Sequence, residues 1–501
     1  MPALRPIRGL RPWWAGVLAI AGLAAAASVA AAVAAAAPPR VGLVVTRGQI
    51  DADPQFGAPV VAYLVNRGGP LDVELRRAAG TGSWDAVQTV DGARLPVPAE
   101  VRIGPEGLGR AVVVTVLDGG RRVVRRRALD LCVDFGALRL GPRGPALSSF
   151  PQECSAHPFA RGLRQGLDTD YGVPIDLAAV IGIRLRPGRY TVRVRMRPAT
   201  AGWLGMRPGD RAVTLRLRVR RPRETPESTV ERLLRRAIRS GAIGARPPRA
   251  GRTPARRPRP APRTPPPPTD VVPPADALPN LVALPAFGFG VGRSGGRDRL
   301  DFAATVWNEG PGPLIVEGYR RSAAPRMDAF QFFRRGEVDV AAVPVGGLDY
   351  DARAGHDHWH FRDFARYSLV RLEGSPVAVS PKEAWCLAPT DQIDQLVPNA
   401  ALRPGDPLLE SACGEAEAVQ VREVLEVGAG DTYGAGTPGQ AIDVTRVPNG
   451  AYLLKTVANP AGALRETTRA DDVAVRRIVL GGRPGRRTVQ APPVDGVDTE
   501  G

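Results

Sequence analysis

The chain has 501 residues, 44% of them apolar, and a formal net charge of +18. That length exceeds the usual share of one domain, the apolar fraction excludes a wholly disordered chain, and the lack of a Gly-X-Y period excludes collagen. Residues 276–501 hold 24 basic and 30 acidic side chains, a net of −6, so the first 275 carry +24, and a charge split in this way argues against nucleic-acid binding by the whole chain.

Arg5, Arg8 and Arg11 precede an apolar run from Trp13 to Ala37 that ends in alanines. A positive start, an apolar middle and a small-residue end predict a signal peptide over 1–37, with an uncleaved membrane anchor as the alternative. The protein is therefore expected to be secreted or held at the extracytoplasmic cell surface. Membrane contact is expected only if that segment stays attached. The four cysteines, Cys132, Cys154, Cys386 and Cys413, agree with an oxidising compartment. The simplest pairing is local, Cys132 with Cys154 and Cys386 with Cys413. No C-x-x-C pair points to zinc or to thiol exchange.

Residues 40–222 are expected to form a first β domain. Its segments "RYTVRVRMR" and "AVTLRLRVR" alternate between apolar and polar residues and are bounded by turns. A linker over 223–275 follows. It opens with an amphipathic stretch, Ser228 to Ser240, expected to be helical. It continues as "RPPRAGRTPARRPRPAPRTPPPP", where proline removes backbone donors and favours an extended, solvated spacer. A second β domain is expected over 276–490, with a short tail over 491–501.

The two halves echo each other in three ordered blocks. "VVAYLVNRGGPLDVELRR" is matched by "FAATVWNEGPGPLIVEGYRR". "LCVDFG" is matched by "WCLAPT". The block from Asp168 is matched by the block from Asp431. Matched blocks in one order predict an internal duplication. The fold class is therefore all-β, with two β-sandwich-like domains from that duplication joined by the Pro/Arg-rich linker.

Three of the four histidines lie in "GHDHWHF": His356, His358 and His360. Side chains at i, i+2 and i+4 share one face of a strand, so the spacing converges three imidazoles, and the length of that span requires the strand to bend or one histidine to swing inward. Three neutral imidazoles suit a borderline divalent metal, either copper or zinc. Asp351 and Asp363 are candidate partners for the ring N–H groups. The fourth histidine, His157, reads as a surface residue. The basic charge is 66 Arg against 2 Lys, Lys382 and Lys455. A chain that uses arginine by default points to a need for an amine at one of those two places.

The ordered set "GHDHWHF", "PKEAWCL", "SACGE", "GDTYG" and "IDVTRVPNGAY" resembles the lysyl oxidase family over about Leu278 to Arg487. The resemblance implies Cu2+ held by His356, His358 and His360. It implies a lysine tyrosylquinone cofactor formed from Lys382 and Tyr433, and a family disulfide between Cys386 and Cys413. Lys382 could not be an arginine there, because a guanidinium stays protonated and is a poor nucleophile. The implied activity is oxidative deamination of primary amines, peptidyl lysine or small amines, to aldehydes by O2, with release of hydrogen peroxide and ammonia. Asp431 is the candidate general base. Cell-wall or extracellular protein lysines are candidate partners. The first half keeps Cys132, Cys154 and a tyrosine, Tyr171, but has no H-x-H-x-H, and Ala128 stands four residues before Cys132. It reads as a degenerate copy without a metal site. A copper-binding module without the quinone, or a non-catalytic surface protein, are the alternative functions.

Overall fold

A computed structural model describes residues 38–52, 60–151, 154, 157–181, 185–219, 264–265, 267–269, 271–321, 326–353, 356–402 and 410–500. The expected signal segment, the amphipathic stretch and most of the linker lie outside these residues. No helix among the described residues is long and apolar enough to cross a membrane.

Among the described residues the fold is all-β, with two short α-helices in the first half. Strand formation follows side-chain alternation. In Gly188–Met196, Val192, Val194 and Met196 are buried while Arg193 and Arg195 are exposed. A period of two puts the apolar set on one face of a sheet. Each half has three sheets, one more than a two-sheet sandwich. In the second half the order is Leu281–Ala283, Arg297–Asn308, Ala429–Tyr433, Asp391–Gln392 in the first sheet. The second runs His358–Phe361, Val338–Asp351, Arg326–Arg335, Leu314–Tyr319, Gln420–Leu425. The third runs Pro376–Val379, Ala365–Val370, Gly450–Ala458, Val473–Arg483, Arg486–Gln490. Trp359, Phe361, Phe364, Tyr367 and Trp385 fill the core between them.

A buried asparagine closes each half in the same way. Asn308 Nδ2 donates to Gly312 O at 2.9 Å and Leu425 O at 3.1 Å, and its Oδ1 accepts from Asn280 N and Gly310 N, both at 3.0 Å. Asn66 Nδ2 donates to Gly69 O at 2.7 Å and Leu167 O at 2.9 Å, and its Oδ1 accepts from Arg40 N and Gly68 N, both at 3.1 Å. This shared clasp supports the duplication, which we retain as a proposal. It also corrects the third matched block. Tyr171 pairs with Asn66, whereas Tyr433 pairs with Ala304, four residues before Asn308. Tyr171 is therefore not in the place of Tyr433. It is a core residue whose hydroxyl donates to Pro145 O at 2.9 Å.

Removing the Asn308 amide would strand two backbone N–H groups and two carbonyls. At about 1 kcal/mol each, Asn308→Ala is expected to lower stability by roughly 3–4 kcal/mol in a denaturant titration. Asn308→Asp keeps the two acceptor bonds and should fall between.

The halves pack against each other. Phe159 joins Val282, Leu284, Trp307, Ile393 and Val497 in one apolar cluster at the seam. Arg161 N donates to Ile393 O at 2.6 Å, and Gln395 N donates to Gly162 O at 2.7 Å. His157 is a correction to the surface reading. It is buried in this seam, with Nε2 2.9 Å from Thr305 Oγ1, and burial pushes its pKa down to about 4. Thr305 Oγ1 is in turn 2.7 Å from Thr432 Oγ1, so the first half braces the strand that carries Asp431 and Tyr433.

Candidate metal and cofactor site

The strand His358–Phe361 is held by its apolar face. Trp359 and Phe361 are buried, Trp359 N donates to Cys413 O at 3.0 Å, and Trp359 Nε1 donates to Glu415 O at 2.9 Å. His358 and His360 leave from the other face, as the alternation predicts. His356 does not share the strand. It sits in the turn before it, where Asp357 takes a φ of 53°, and this bend folds His356 back onto its neighbours. Asp tolerates that left-handed conformation better than most residues.

The three imidazoles thus converge without a straight run. Their ligand atoms lie within 4.8 Å of one another, and His356 Nδ1 is 3.2 Å from His360 Nε2. Burial lowers the pKa of all three rings, that of His360 to about 2, and the charge of Lys382 acts in the same direction on each. The rings are therefore neutral at physiological pH, the state a metal ligand requires. Asp351, opposite His358 in the sheet, places Oδ2 3.5 Å from His360 Nδ1 and 3.6 Å from His356 Nδ1. Arg353 holds that carboxylate at 2.5 Å and keeps it ionised, well below the usual carboxylate range. Asp363 is not part of this group. It lies in the turn after the strand at a φ of 55° and acts on Arg366.

Lys382 comes from the loop after Pro376–Val379. It is 3% exposed, and its Nζ makes no hydrogen bond. That nitrogen sits 4.7 Å from the centre of the Tyr433 ring. Burial first, and then the charge of Arg353, bring its pKa down to about 8. Trp385 also packs against Tyr433, with ring centres 4.2 Å apart. Burial raises the pKa of the Tyr433 hydroxyl. Lys455, the other lysine, stands in the strand Gly450–Ala458 opposite Ser368 and Val475.

Three successive amides fix the segment between lysine and tyrosine. Cys386 N donates to Tyr433 Oη at 2.8 Å, Leu387 N to Glu423 Oε2 at 3.1 Å, and Ala388 N to Asp431 Oδ2 at 3.3 Å. Trp385 bridges Phe361 through both backbone bonds, at 2.6 and 3.0 Å, which ties this segment to the histidine strand. Asp431 and Glu423 are both fully buried, and burial raises the pKa of each well above the ordinary carboxylate value. Glu423 was not singled out from the sequence. The available signal was its place in Gln420–Leu425, where it shares the buried column of Val421 and Leu425.

The cysteines pair as Cys132–Cys154 and Cys386–Cys413. The second bridge closes a loop of sequence separation 27 beside Trp385. By chain entropy such a loop stabilises by about 3–4 kcal/mol. A Cys386→Ser/Cys413→Ser double variant should lose about that much on denaturation, and should also form less metal-dependent product because the Tyr433 clasp loosens.

One segment thus holds the histidine group, the orphaned amine, the tyrosine and the bridge. Residues 343–486 match the lysyl oxidase family. The match covers His356, His358, His360, Lys382, Cys386, Cys413 and Tyr433, and begins inside the strand Val338–Asp351. Lysyl oxidases are copper-dependent oxidoreductases, so the match suggests a copper amine oxidase-like function for this domain. Comparison with curated proteins gives no significant match.

Proposed function

We propose that the second half is a copper-dependent amine oxidase acting through a quinone built from Lys382 and Tyr433. In the overall reaction a primary amine, O2 and water give an aldehyde, hydrogen peroxide and ammonia. The observation that carries this reading is the Lys382 amine: buried, without a hydrogen-bond partner, and 4.7 Å from the Tyr433 ring centre. A buried amine left unpaired costs free energy, and a fold keeps one where chemistry needs it.

The residues fit the absent groups. His356, His358 and His360 would hold copper through neutral ring nitrogens, with Asp351 orienting His360. The quinone supplies an electrophilic carbonyl and an electron sink that ordinary side chains lack. Lys382, with its pKa near 8, has a neutral, nucleophilic fraction at physiological pH. Asp431 shares a strand face with Tyr433, two residues away, and its burial makes it a stronger base for the substrate α-proton. Ala388 N and the strand hold that carboxylate in place. The net of −6 over 276–501 favours a cationic amine over an anionic one. Two disulfides and the N-terminal pattern support a secreted or cell-surface location.

A peptide mass map of protein exposed to copper and air tests the reading. The expected result is a single species joining the peptides of Lys382 and Tyr433. Separate, unmodified peptides in protein that has bound copper would make the domain a copper-binding module instead.

A further inference from the structure

The third sheet of the first half turns one face to the core and the other to solvent. Its strands run Gln49–Ala52, Ala212–Val219, Gly188–Met196, Gly107–Leu117, with Val123–Leu131 on the outside of Gly107–Leu117. The sheet register aligns the outward side chains in rows. Arg218 lies opposite Arg189, and Arg216 opposite Thr191. Thr214, Arg193, Thr115 and Arg126 form one row across four strands, and Ala212, Arg195 and Val113 the next. All six arginines are exposed. None of Arg126, Arg193, Arg195 and Arg216 is ion-paired with another described residue. Two carboxylates share the face, both at its margins: Asp51 opposite Arg218, and Asp130 at the far end of the outer strand, where it accepts from Arg110 N. A shallow groove of about 480 Å³ runs between the arginines over Val113, Thr115 and Leu117.

Solubility alone does not ask for this pattern. Like charges in facing strand positions repel, and a soluble surface mixes both signs. Unpaired arginines of one sign build a field that attracts anions, and guanidinium forks take carboxylates two oxygens at a time. Arginines at i and i+2 stand about 6.8 Å apart along a strand, and neighbouring strands lie about 4.8 Å apart, so the arginines are spread over the face as an array of positive charge. The threonines between them offer hydroxyls. No aromatic side chain stands on the face to stack a nucleic-acid base. Its outward apolar residues, Val113 and Leu117, lie at the floor of the groove; only Val123 and Val124 at the hairpin end project, too few for membrane insertion.

We infer that this face docks a linear acidic polysaccharide, with its carboxylates on the arginine forks and its ring hydroxyls on Thr115, Thr191 and Thr214. The first half then serves as a tether that holds the second half near such a polymer. This does not depend on the oxidase reading.

The test uses the full chain and polygalacturonate as the probe. Arg193→Thr/Arg195→Thr/Arg216→Thr removes three charges from exposed strand positions while keeping β propensity. The control, Arg249→Ser/Arg252→Ser/Arg256→Ser, removes three from the linker. The face variant should bind about tenfold more weakly at moderate salt, and the control should change little. A melting curve matching that of the parent shows that the fold is intact; if it does not match, the single variants Arg126→Thr and Arg195→Thr carry the comparison. Equal losses in the face and linker variants would overturn the inference, as would tighter binding of a DNA duplex or of anionic vesicles than of the polysaccharide.

Discussion

Protein carrying Lys382→Met is expected to bind copper as the parent does, to form no cross-link with Tyr433, and to lose amine oxidation by at least about 10³-fold. The side chain contributes an amine that no other group near Tyr433 can replace. Hydrazine labelling, which reports a reactive carbonyl, should vanish with it. Tyr433→Phe should give the same two losses. Lys382→Arg should fare no better, since a guanidinium does not deprotonate. Stability moves the other way. The folded pKa of Lys382, about 8, lies below the ordinary lysine value of 10.5, so the charged form is disfavoured by folding. That difference corresponds to about 3 kcal/mol below pH 8. Between pH 8 and 10.5 the unfolded chain binds more protons than the folded one, so the parent gains stability as pH rises through that window. Lys382→Met should be more stable than the parent at pH 7 by about 1–3 kcal/mol, with the gap closing by pH 10.5. Equal melting profiles across this range would mean that the amine is paired in solution. A second check needs no variant: cross-link formation should speed up from pH 7, be half-maximal near pH 8 and level off about one unit above it, as the neutral amine becomes the main form.

The candidate site residues were legible in the sequence because each belongs to a short local pattern. The i, i+2, i+4 histidines, a lysine in a chain that avoids lysine, and the Asp-Thr-Tyr-Gly run can all be read within a few residues. Strand alternation gave the all-β class in the same way. What could not be read was set by pairing across the sheets. The long span of the three histidines already called for a bend or an inward swing, but its place, at Asp357 with positive φ just before the strand, could not be read from a period of two. Tyr171 looked like Tyr433 because both sit in similar tetrapeptides, yet the sheet register around Asn66 and Asn308 places them four residues apart. His157 read as a surface residue because its burial comes from the other half of the molecule, through Thr305 and Phe287. Asp351 and Asp363 flank the histidines on either side in sequence, and only the pairing of Asp351 with His358 separates them.

His360 should be the histidine least tolerant of change. It is the most buried by ring environment, its Nε2 faces His356 Nδ1 at 3.2 Å, and its Nδ1 faces Asp351. It therefore joins the candidate ligand group to the carboxylate behind it, and losing it removes a donor and the oriented pair together. His360→Ala is expected to weaken copper binding by more than about 10²-fold, whereas Asp351→Asn, which leaves all three rings, should weaken it by about 10–100-fold. Copper titration of each apo variant measures both. The ordering matters more than either value. If Asp351→Asn were as damaging as His360→Ala, Asp351 would itself be a ligand, and the convergence of three imidazoles would not be the whole site. On the proposed function copper acts in forming the Lys382–Tyr433 cross-link, so protein matured first and then stripped with a chelator should keep the joined peptides. His360→Ala protein, never having held the metal, should show them separate. That contrast assigns the histidines to building the cofactor rather than to holding the fold, and unchanged melting of the apo His360→Ala variant relative to apo parent would complete the separation.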